Sequence, residues 1–98
     1  MEQLYMIEFE LLNAFTKEFT DNIPHQRVFV NSFIEKGIIK SYTLALNRSK
    51  LWMVAKADNE FEIMTLINQL PLTEFMIPSI SPLMFHHTKE RKRTFSLN

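Results

Sequence analysis

The chain has 98 residues, enough for one domain and too few for two. Eleven Lys and Arg balance eleven Asp and Glu, so no net field draws in nucleic acid or an anionic membrane surface. With no Cys, disulfides, thiol catalysis and thiolate metal sites are excluded.

Residues 4–11 alternate, with Tyr5, Ile7, Phe9 and Leu11 on one face and Leu4, Met6, Glu8 and Glu10 on the other. This predicts a strand that buries its first face. From Thr16 to Lys36 the apolar spacing turns helical, through Phe19, Ile23, Val30, Phe33 and Ile34, and Gly37 is the stop. Pro24 allows two readings: a helix from Thr16 kinked at the proline, or one from about Asn22 with Pro24 in its permissive first turn. The second is favoured here, with a looser turn before it.

Residues 38–46 and 51–57 are β-rich and flank the turn-prone Asn47-Arg48-Ser49-Lys50, which predicts a hairpin. Asn59 caps a second helix with Glu62 as its capping-box partner, and Phe61, Met64, Ile67 and Leu70 are its expected buried stripe. Pro71 ends that helix near Gln69. Residues 77–87 read as a last strand, which Pro78 and Pro82 confine to an edge, a bulge or a subunit boundary. Residues 1–88 are thus one domain, and 89–98 form a basic tail with Lys89, Arg91, Lys92 and Arg93, expected to be solvated.

Strand, helix, strand, strand, helix, strand is the split βαβ order of a ferredoxin-like α+β sandwich, a four-stranded antiparallel sheet with both helices on one face. The other face then lacks a partner within the chain. Such a patch marks an interface or pocket, so two sheets pairing face to face as a dimeric α+β barrel are expected. The nine Phe and six Met suit a pliable apolar core or cavity. The first ten residues lack a basic leader, and no apolar run reaches about 18 residues, so a cytoplasmic protein with no membrane segment is expected.

The run "INQLPLTEFM", followed eight residues later by "MFHH", resembles the C-terminal half of muconolactone isomerases. There too a helix ends in Gln-Leu-Pro-Leu, an aromatic-Met pair follows and a His closes the last strand. Without gaps, Gly37 falls on the glycine that ends that family's first helix, so the likeness covers about half the chain, residues 37–86. The resemblance implies a homo-oligomer built from barrel dimers and a cofactor-free, metal-free isomerase that moves a double bond in an unsaturated lactone. That reaction requires a base beside a carbonyl, an acid at another carbon and groups that hold enolate-like charge. The isomerases carry a glutamate eleven residues before the glycine. This chain has Gln26 there, and an amide carries no proton.

His86, matching the family's strand-end His, and His25 and Glu8 are therefore the candidate catalytic groups. A Glu8 buried among Met6, Met53 and Phe85 would have a raised pKa and act as acid or base. Gln26 as a hydrogen-bond donor, Arg27 and Arg48 as cations, and Tyr42 and Trp52 as amphipathic walls are the candidate binding groups for a small carbonyl-containing or anionic molecule. His86 and His87 point to opposite faces of a regular strand, a poor metal pair. The alternatives within the same fold are a non-catalytic ligand-binding or assembly module and a cofactor-free monooxygenase.

Overall fold

The computed structural model describes residues 2–88, and the basic tail lies outside them. Its elements are β1 (Gln3–Leu11), α1 (Lys17–Glu35), β2 (Ile39–Leu44), β3 (Lys50–Ala57), α2 (Glu60–Gln69), a 3-10 turn at Thr73–Phe75 and β4 (Met76–Pro82). The strands form one antiparallel sheet in the order β2-β3-β1-β4. This is the ferredoxin-like α+β fold. Tyr5, Ile7, Phe9 and Leu11 of β1 and Leu51, Met53 and Ala55 of β3 are buried together with Phe19, Val30, Ile63, Leu66 and Ile67 of the helices, so the core lies between sheet and helices.

The first helix begins earlier than the sequence suggests. Thr16 is its N-cap, its hydroxyl accepting from the Phe19 N–H at 3.2 Å, and Pro24 lies inside the helix. A good cap, together with the buried Phe19 in the first turn, outweighs the amide that Pro24 removes. At the other end Gly37 takes φ 76°, and the N–H groups of Gly37 and Ile38 bond the carbonyls of Ile34 (2.9 Å) and Phe33 (3.0 Å). This is a Schellman termination, which needs a left-handed residue where glycine has no steric penalty.

Asn59 caps α2 as expected, accepting from the Glu62 N–H at 2.9 Å, while the Glu62 carboxylate accepts from the Asp58 N–H at 2.8 Å, one residue before the cap. The expected stripe is out of phase. Ile63, Leu66, Ile67 and Leu70 are buried, whereas Phe61 is 79% and Met64 37% exposed. A series at strict three-residue spacing drifts by about 60° per step on a helix of 3.6 residues per turn, so Phe61 ends half a turn away from Leu70. Leu70 adopts φ −65° and ψ 133°, the extended geometry favoured before a proline, and the helix stops at Gln69.

In β2, Lys40 is an extra residue: Ile39 pairs with Ala55 and Ser41 with Val54. This bulge reverses the alternation, so Ile39 and Tyr42, three positions apart, both face the helices. β4 is an edge strand, as its prolines require. Leu83 N–H donates to the Leu4 carbonyl, so alternate residues including Pro78 and Pro82 turn their nitrogens to the open edge and interrupt no ladder bond. The strand ends at Pro82, not at His87. β1 starts at Gln3, so residues beyond Met84 have nothing opposite them, and Met84 and Phe85 are exposed.

Candidate functional site

A cavity of about 500 Å³ opens between α1 and the β2–β3 hairpin. Phe19, Ile23, Val30, Ile34, Leu44 and Leu51 give it apolar walls, and Gln26, Arg27, Asn31, Tyr42 and Arg48 supply the polar groups. Ile23, Gln26, Arg27, Val30, Asn31 and Ile34 recur at three- and four-residue spacing, which puts them on one side of α1. Tyr42 arrives from the sheet through the bulge at Lys40. Arg48 adopts φ 59° in the hairpin, where Asn47 Oδ1 accepts from the Ser49 N–H at 3.0 Å, and its guanidinium lies 5.3 Å from the centre of the Phe15 ring.

Gln26 is the buried polar residue of the core, 3% exposed. Its Oε1 accepts from the Leu72 N–H at 3.0 Å, and its Nε2 donates to the Tyr42 hydroxyl at 2.8 Å. The first bond fixes the orientation of the amide, because a backbone N–H requires an oxygen opposite it. Gln26 thus joins α1, β2 and the Gln69-Leu70-Pro71-Leu72 turn. Since the Tyr42 oxygen accepts from Gln26, its own proton remains to be donated, and no acceptor among the described residues takes it. Desolvation raises the Tyr42 pKa, an effect the Gln26 bond opposes, so the phenol stays protonated at neutral pH. Arg27 and Arg48 have no carboxylate within ion-pair distance among the described residues.

The other candidates are elsewhere. His25 is exposed on α1, outside the cavity lining. Glu8 and Trp52 face each other on the outer side of the sheet, so Trp52 and Tyr42 do not share a cavity. Glu8 Oε1 accepts from Trp52 Nε1 at 3.0 Å and Oε2 pairs with Lys50 Nζ at 3.2 Å. Its pKa is therefore lowered, by the Trp52 hydrogen bond first and by Lys50 second, and not raised by burial. The expected enclosure fails because Met53 points into the core and Phe85 is exposed. His86 follows the last strand, beside Leu4 and Lys40, and its buried Nε2 has no hydrogen-bond partner among the described residues. The sheet separates Glu8, Trp52 and His86 from the cavity, and His25 lies on α1 outside its lining, so a single small ligand does not touch them all.

The structure thus brings Gln26, Arg27, Tyr42 and Arg48 together and leaves His25, His86, Glu8 and Trp52 outside. Asn31 and the Leu72 amide are additions. Asn31 stands four residues after Arg27, a spacing that places it beside the guanidinium; a backbone N–H leaves no sequence signal. Chemically, the cavity offers donors and positive charge over apolar walls, with no carboxylate or imidazole in its lining. Among the described residues no group of three His, Asp or Glu is placed to hold a metal ion, and no helix is long and apolar enough to cross a membrane. No family profile and no curated protein matches the chain.

Proposed function

We propose that this protein binds a small, largely apolar molecule carrying an anionic or carbonyl group in the cavity between α1 and the hairpin. One observation carries the reading: a protonated Tyr42 hydroxyl whose proton has no acceptor among the described residues shares a largely apolar cavity with Arg27 and Arg48, neither of which has a carboxylate partner among the described residues. A half-buried donor and nearby cations favour a ligand that supplies an acceptor. A lining without carboxylate or imidazole to take a proton from a substrate carbon supports binding over catalysis. Titration with benzoate and hexanoate, followed by thermal unfolding, tests it. A Tm that climbs with ligand concentration in the wild type and stays flat in Arg27→Met supports the site. No rise with either acid in the wild type counts against it.

A second reading is a muconolactone isomerase-like proton transfer, favoured by the placement of Gln26 in this cavity, at the position where the resembling enzymes carry glutamate. A carboxylate here would accept from both the Leu72 N–H and the Tyr42 hydroxyl, so Gln26→Glu fits the existing bonds. Muconolactone isomerisation by the variant but not the wild type would mean that a cavity suited to the reaction lacks only its proton carrier. Turnover by the wild type would move the chemistry to residues outside the lining, and silence in both would discard this reading. In either case the protein is proposed to work in the cytoplasm as a homodimer or larger assembly, with the outer sheet faces paired.

A further inference from the structure

The hydrogen bonds around Gln26 run in one direction. Leu70 is extended before Pro71 and turns the chain out of α2, and the buried Leu72 N–H then meets Gln26 Oε1 at 3.0 Å. With its oxygen held by a backbone donor, the amide presents Nε2 to Tyr42 and donates to the hydroxyl at 2.8 Å. The Tyr42 oxygen thus has an acceptor position filled, and its O–H is left to donate into the cavity. Because the first donor of this relay is main chain, turning the amide over would only set donor against donor at Leu72.

We propose that Gln26 determines the specificity of the cavity: through Tyr42 it selects ligands whose polar atom accepts a hydrogen bond, such as carbonyls, carboxylates and unprotonated ring nitrogens, over isosteres whose polar atom donates one. The inference rests on the binding proposed above for this cavity and adds the polarity of the ligand atom that meets Tyr42. A donor placed there faces another donor, and both give up hydrogen bonds to water without replacement. Gln26 is a positioning residue in this scheme, since it acts by orienting the Tyr42 hydroxyl. Exchange for glutamate reverses the relay. The carboxylate accepts from the Leu72 N–H and from the Tyr42 hydroxyl, and the Tyr42 oxygen becomes the acceptor that a ligand finds. Arg27, Asn31 and Arg48 share the lining, and the bonds of Gln26 go to Leu72 and Tyr42, so their own polarity stays as it is.

Quinoline and indole test this without a charged group: both are neutral, flat and similar in shape, and the ring nitrogen of quinoline accepts where the N–H of indole donates. Their dissociation constants for the full chain are read by NMR titration of the Tyr42 and Leu44 amides at about pH 8.5, where a carboxyl that accepts two hydrogen bonds in a cavity with two arginines is ionised. Quinoline is expected to bind about tenfold more tightly than indole in the wild type. In Tyr42→Phe, which keeps the Gln26–Leu72 bond, that ratio should fall several-fold, and in Gln26→Glu indole should become the tighter ligand. A wild-type ratio near one would overturn the proposal and leave the cavity as a binding site. So would a ratio that survives in Tyr42→Phe, since the arginines would then be its source. An unchanged ratio in Gln26→Glu would also overturn it, because a residue that only supports the fold weakens both probes alike. Binding of neither probe would overturn it too; the cavity reading itself would fall only if benzoate also failed to bind.

Discussion

At the scale of single residues, Gln26 joins fold and site. Gln26→Leu removes the acceptor of a buried backbone N–H and the donor to Tyr42, and is expected to lower unfolding free energy by about 1–3 kcal/mol, read from the urea midpoint. Tyr42→Phe, which leaves the Leu72 bond in place, is expected to cost less. Glu8 supplies a pH prediction. Its folded pKa lies below the ordinary 4.5, so its contribution to stability is present above the unfolded value and lost as pH falls through the folded one. Trp52 emission should follow that loss as its indole N–H loses a carboxylate acceptor, and in Glu8→Gln the step should vanish. Gln26 was named through the family resemblance, by its spacing to Gly37, Arg27 as its neighbour on the helix, as was His25, which lies outside the cavity, and Arg48 by its place in the hairpin. That Tyr42 lies on the helix side while Trp52 lies opposite was not legible, because one bulged residue, Lys40, decides it and no local pattern marks the bulge.

Among the elements, strands with alternating side chains and ends marked by proline or glycine were readable, and errors arose where competing local effects were close in size. α1 is the clearest case. A cap and one buried aromatic ring were enough to carry the helix back past Pro24 to Lys17. Because Pro24 is exposed and costs α1 a hydrogen bond, Pro24→Ala is expected to stabilise the protein by about 2 kcal/mol, the helix gain less the extra freedom of the unfolded chain. Asn59→Ala should cost about 1 kcal/mol by removing the α2 cap. Both are measurable as Tm shifts of the full chain. In α2 the misread stripe has a geometric origin: four apolar residues at constant three-residue spacing wind around the helix instead of following one face.

For the whole molecule, the element order was enough to give the sandwich, because short connections leave few ways to arrange two helices and four strands. The site was only half legible, since a sheet places residues that are close in sequence on opposite sides of a layer. If the outer faces pair as proposed, sedimentation should report a dimer and Tm should rise with protein concentration, whereas a concentration-independent monomer would refute the pairing. The route by which copies can meet is already narrowed by β4. Its two prolines put no N–H on the open edge at Pro78 and Pro82, leaving Ile80 as the donor between them. A foreign strand laid along that edge would find an incomplete ladder, so end-on growth into cross-β filaments is discouraged at this border whatever happens on the faces.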